Sequence, residues 1–194
     1  MKKIADTIVP INDVISQRWS ARAFDSNYII EEASINSLFE AARWAPSCYG
    51  DQPWQFVLFK KEDAAAWTSV LNCLSIGNQN WAMDASILII ACSNKNFNHN
   101  NKPNRWAHYD TGAAAENICL QATSIGLNAH QMGGFDQDKI RYLSNIPEEF
   151  DILACIAVGK QLNESKLSKV QKEKEIQARS RKPLKDIYFV NEWK

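Results

Sequence analysis

The chain has 194 residues, 45% of them hydrophobic and 23% charged, the usage of an ordinary globular domain, which excludes fibrous and disordered classes. Lysine plus arginine and aspartate plus glutamate number 22 each, so no bulk field draws the chain to nucleic acid, and any anion site must be local. The longest strongly apolar run, Ile87 to Cys92, is far short of the ~20 residues that cross a bilayer, so no membrane span is expected.

The opening Met1-Lys2-Lys3-Ile4 has the charged start of a signal peptide, but Asp6, Asn12 and Asp13 interrupt the apolar stretch that such a peptide needs; a cytoplasmic protein is expected. After a short helix comes Arg18-Trp19-Ser20-Ala21-Arg22. Two forked, permanently charged guanidiniums beside a hydroxyl suit a phosphate, and the same pair would also serve as a salt-bridged surface feature. Ile35, Leu38, Phe39 and Ala42 recur at helical spacing and predict an amphipathic helix over 31–43, with Glu31 and Glu32 at its positive end. Pro46 ends it, Ser47 to Asp51 reads as a loop, and Trp54 to Phe59 as a buried strand. Pinned by Pro46 and Pro53, this loop either edges a planar ligand or simply turns the chain.

A second helix is expected over roughly 62–74, then a break at Gly77-Asn78 and the strand Ile87 to Cys92. Ser93 to Asn104, rich in Asn and Lys, is a surface excursion. Small residues from Gly112 to Ala115, followed by Ile118, Cys119, Ala122 and Ile125, predict a closely packed central helix over 109–125, ended by Gly126. A short extended piece leads into Gln131-Met132-Gly133-Gly134-Phe135-Asp136, whose paired glycines either admit a ligand to the backbone amides or make a tight turn. A short helix near 136–144 and a strand from Ile152 to Val158 close the core. The charged stretch 161–182 gives way to an apolar, aromatic segment from Leu184 to Val190, which must dock on something, plausibly a second subunit. Without repeats or a linker, the chain reads as one domain over 1–194, its tail of about 161–194 wrapping a partner.

Five cysteines (Cys48, Cys73, Cys92, Cys119 and Cys155) form no C-x-x-C pair and fit a reducing compartment, while His99, His108 and His130 lack ligand spacing, so no metal is expected. Neither G-x-G-x-x-G nor G-x-x-x-x-G-K-[ST] is present, which leaves the dinucleotide-fold and P-loop readings without support.

Taken together, R-x-S-x-R at 18–22, A-P-S-x-x-x-x-Q-P-W at 45–54, G-G-F-D at 133–136, a strand ending in Val158-Gly159, and Arg179-Ser180-Arg181-Lys182-Pro183 resemble the nitroreductase family of FMN enzymes over essentially the whole chain. The resemblance implies an α+β, three-layer α/β/α sandwich with a central mixed sheet, built as a homodimer whose domain-swapped C-terminal tail extends the partner's sheet. It implies FMN as cofactor and NADH or NADPH as reductant. Arg18 would lie near the phosphate and Arg22 near the pyrimidine edge, with Ser20 also in contact. Arg181, with Lys182 beside it, would complete the phosphate site. Ser47 and Gln52 would line the ribityl chain and ring from either subunit, with Trp19, Pro46 and Cys48 in the same motifs. Asn78 would touch the flavin, Met132, Gly133 and Gly134 would border the ring, and the Gly133 amide would face N5. Gly50 stands where relatives commonly have Asn, and Trp19 where they have Arg or His. The implied activity passes hydride through flavin N5 to a small aromatic acceptor (nitroaromatic, quinone or flavin) in ping-pong fashion, with no obligatory acid, base or nucleophile, Cys48 included. Other redox chemistry on the same fold, such as dehalogenation or metabolite oxidation, and a flavin-binding protein without turnover, are the alternatives.

Overall fold

A computed structural model describes residues 3–193. Its centre is a four-stranded sheet in the order β1 (Trp54–Lys60), β2 (Ile87–Asn94), β4 (Phe150–Gly159), β3 (Asn128–Met132). The strand β2 is buried along almost its whole length because both of its faces are covered, which explains its unbroken apolar run. Its side chains alternate. Leu88, Ile90 and Cys92 join Trp67, Val70, Ile140 and Phe150 on one face of the sheet, and Ile87 and Ile89 join Leu38, Ala42, Ala114 and Ile118 on the other. Two cores on opposite faces give the expected three layers.

One outer layer pairs α2 (Glu32–Arg43) with α5 (Ala107–Ser124). Ala114, Ala115 and Ala122 are buried along α5, and side chains this small let the helices approach closely. The other outer layer holds α3 (Ala64–Leu71), α4 (Ile76–Ala82) and α6 (Gln137–Ser144). Asp63 caps α3 by accepting from the Ala66 amide, and Asp136 caps α6 by accepting from the Lys139 amide. Two further helices, α1 (Asp13–Gln17) and α7 (Lys169–Glu175), flank the start and the tail.

Several expectations are corrected. All three strand pairings are antiparallel, so the sheet within the described chain is not mixed. Gly77-Asn78 is no break: both residues lie inside α4, where a glycine on an exposed turn meets no neighbour that would reject a helix. The second helix spans only 64–71 of the expected 62–74. Helix α7 was not anticipated, although Ser168 and Gln171 form a reciprocal capping box at its start. In the tail, Leu184–Asp186 forms a short 3-10 turn, and Leu184, Ile187, Tyr188 and Val190 are exposed.

Candidate active site

The segment 18–22 leaves α1 through the Arg18 amide, which donates to the Val14 carbonyl at 2.9 Å. It is held against β3 by His130, whose Nδ1 lies 3.0 Å from the Ala21 carbonyl. This places Arg18 and Arg22 on a cavity of about 280 Å³ that Lys3, Lys174, Arg179 and Arg181 also line, among the described residues six cations against the single carboxylate of Glu175. Ser20 and Trp19 line it too, the Trp19 ring turned inward under the Lys3 ammonium at 4.6 Å. Arg18 Nε lies 3.4 Å from Glu116 Oε1, and burial pushes the Glu116 carboxyl above its usual range despite that neighbour.

Arg179 ties the tail to this segment. Its Nη1 donates to the carbonyls of Lys3 at 2.7 Å and Ser16 at 2.8 Å, and its Nη2 to that of Arg18 at 3.0 Å. Arg181, singled out from the sequence, is exposed and bonds only to the adjacent Ser180 carbonyl, although it lines the cavity. Lys182 does not line it.

A second cavity, about 520 Å³, shares Arg22, Lys174 and Glu175 with the first and adds Asn78, Asn80 and Trp81. The Trp81 ring is stacked on His130, with centroids 4.5 Å apart, and on Phe24 at 6.2 Å. Burial, ahead of the Arg22 and Arg18 charges, lowers the His130 pKa, so its imidazole is neutral, with Nδ1–H donating to Ala21. The two cavities thus form one cleft, cationic at one end and flat, aromatic and amide-bearing at the other.

The G-G-F-D turn closes on the flat end. Asn78 Nδ2 and the Ser75 amide both donate to the Gly134 carbonyl, at 3.0 and 2.9 Å. A Cβ on Gly134 would stand 2.8 Å from Asn78 Nδ2 and from Ser75 Oγ, so a larger residue would displace these side chains. Gly133 faces open space, and its amide makes no hydrogen bond within the described residues. The Met132 side chain points elsewhere: it is buried in the core, so only its backbone is placed to border a ligand.

The loop 46–53 lines neither cavity. The Cys48 amide donates to Asp110 Oδ2 at 2.9 Å, and the Gln52 amide to Ser47 Oγ at 3.1 Å. Tyr49, Gly50 and Gln52 all take the left-handed conformation. The Asn-rich excursion is docked on this loop through Asp51, which accepts from the Asn98 amide at 2.9 Å, and through Tyr49 packed edge-on against Phe97 and His99. Within one chain, therefore, the first and third motifs meet through Arg22, Asn78 and Gly134, whereas Pro46, Ser47, Cys48 and Gln52 stand apart. Sequence reasoning missed Lys3, Lys174, Glu175 and Arg179. Of these only Arg179 carried a signal, since it stands in the C-terminal basic motif.

A family model described as the nitroreductase family matches residues 15–160. The chain is 26% identical over 187 residues to an oxygen-insensitive NADPH nitroreductase of Helicobacter acinonychis, an alignment covering 78% of this chain and 88% of the relative. It is 33% identical to a solved oxidoreductase containing FMN, with a TM-score of 0.89 over 97% of this chain and 96% of the other. A putative NADH dehydrogenase/NAD(P)H nitroreductase structure from Bacteroides thetaiotaomicron is 25% identical, with a TM-score of 0.72 over 93% and 96% of the two chains. The order of the motifs, the layered fold around the cleft and the match through residues 15–160 place this chain in the nitroreductase family.

Proposed function

We propose that this chain is an FMN-dependent oxidoreductase that takes reducing equivalents from NADH or NADPH and delivers them to a small aromatic acceptor in alternating half-reactions. The observation that carries the reading is the divided cleft. Six cations at one end suit a phosphomonoester, and the flat wall of Trp81, with Asn78 beside it tied to the Gly133-Gly134 turn, suits a planar heterocycle. The donor chemistry therefore fits FMN. The names of the relatives point to the same cofactor and to a pyridine nucleotide as reductant.

When bound, FMN supplies the ring that stores the electrons. The residues of the chain bind and orient it. Arg18, Arg22, Arg179 and Arg181 hold the phosphate end, Ser20 offers a hydroxyl beside it, and Arg22 also reaches the flat end. Asn78 holds the Gly133-Gly134 turn in place, where the Gly133 amide would be a donor for the ring, and Arg22 would supply positive charge beside it. His130 backs Trp81, and burial favours its neutral ring.

A second copy completes the site in this reading. Ser47, Cys48 and Gln52 lie away from the cleft of their own chain, which leaves them free to edge the cleft of another. Helix α5 exposes Tyr109 and Gly112 on one face, and a glycine inside a helix costs about 1 kcal/mol relative to alanine. Its Cβ position is open, so close approach by another chain accounts for it better than any contact within this one. The tail residues Leu184, Ile187, Tyr188 and Val190 are exposed and apolar as well. Initial rates of NAD(P)H oxidation, with a quinone or nitroaromatic varied at several nicotinamide concentrations, test the proposal. Parallel double-reciprocal lines are expected; FMN-saturated protein that oxidises neither nicotinamide with any acceptor would leave a flavin-binding protein without turnover.

A further inference from the structure

The cleft holds one carboxylate, and it is in an unusual state. Glu175 is the last residue of α7, a helix whose Lys169, Lys172, Glu173 and Lys174 are all exposed, yet Glu175 itself is only 3% exposed. Its Oε1 accepts the Arg22 amide at 3.1 Å, and its Oε2 is buried with no hydrogen-bond partner among the described residues. Lys3 Nζ fixes the same residue by donating to its carbonyl at 2.8 Å. With Arg22 and Lys174, Glu175 belongs to both cavities and so stands where they join. A buried carboxylate oxygen without a donor is costly, and such a charge persists only where neighbours of opposite sign compensate it. Here the charges of Lys3 and Arg22 favour the ionised form. Burial still holds the carboxyl above its usual range, against the pull of Arg22 and Lys3.

We propose that Glu175 is an internal anion of the cleft, which neutralises the phosphate-binding cations in the flavin-free chain and must withdraw when FMN binds. This rests on the flavin reading above. Binding then exchanges one anion for another: the cations stay neutralised in both states, and the cleft never stands as an uncompensated positive cavity. The helix is suited to the exchange. Its capping box at Ser168 and Gln171 satisfies its first turn without help from the rest of the fold, so α7 moves as a unit, while Arg179 keeps the following chain attached.

The test is an FMN titration, read by flavin fluorescence, of flavin-free wild-type protein and Glu175→Gln, which keeps the acceptor for Arg22 and loses the charge. Glu175→Gln is expected to bind FMN on the order of tenfold more tightly, which corresponds to about 1.4 kcal/mol. Equal or weaker binding by the variant, with the wild type binding normally, would overturn the internal anion and leave the flavin reading intact. If neither protein takes up FMN, the flavin reading itself fails, and the proposal with it. Hydrogen exchange on the wild type gives a second reading that needs no variant. Amides of 171–175 are expected to exchange severalfold faster with FMN bound, and unchanged or slower exchange there would contradict the withdrawal of α7.

Discussion

The two adjacent glycines of the G-G-F-D turn obey different constraints and separate folding from binding. Gly134 is confined by Asn78 and Ser75, each 2.8 Å from where a Cβ would lie, whereas nothing stands within 4 Å of that position on Gly133. Gly134→Ala is expected to cost about 1–3 kcal/mol of stability in denaturant unfolding, as overpacking generally does. Gly133→Ala is expected to unfold like the wild type yet to bind FMN more weakly, because its methyl group would enter the space the ring takes. Arg22→Ala, removing a charge common to both ends of the cleft, should weaken FMN binding by about 2 kcal/mol or more, measured by the same titration. Arg18 and Arg22 were legible in the sequence because two arginines beside a serine are few enough to notice. Glu175 was not, since it sits in a charged tail and acquires its role only when α7 docks. At Met132, strand alternation turns the side chain into the core.

Elements that bury a face declared themselves, and elements that sit on the surface did not. The helix over 31–43 and the strands at 54, 87 and 152 were each found within two residues of at least one end, because periodicity and unbroken apolar runs follow burial. Helix α4 was hidden by its Gly77, and α7 by a polar composition whose one usable signal was Ser168-x-x-Gln171. The stack of Trp81 on His130, which joins α4 to β3, carries a pH signature. Burial lowers the folded-state pKa of His130 from 6.5, so folding favours the neutral ring. That contribution is present above the unfolded value and is lost as pH falls through the lower, folded one. The thermal-midpoint advantage of wild type over His130→Gln should therefore shrink between about pH 7.5 and about pH 5. An advantage that grows on acidification would show that the charged imidazole is the stabilised form.

At the scale of the molecule, the order of the motifs along the chain spoke more clearly than any motif alone, and it led to the layered fold and the family. Which motifs meet within one chain was not legible, because a linear pattern does not record it. The structure brings Arg18, Arg22 and Asn78 to adjoining cavities, ties Gly134 to Asn78, and leaves 46–53 outside both cavities. Sedimentation should accordingly give about twice the chain mass. Truncation before Leu184, which removes the exposed apolar tail, should lower both dimer content and FMN occupancy. A monomer that retains full FMN occupancy would show that one chain suffices.

The central claim is that the cleft holds FMN reducible by a nicotinamide, and the visible absorption spectrum of freshly purified protein, followed anaerobically after addition of NADPH or NADH, tests it most directly. The account predicts oxidised flavin bands that bleach on reductant and return with a quinone. A colourless protein that also takes up no added FMN would contradict it.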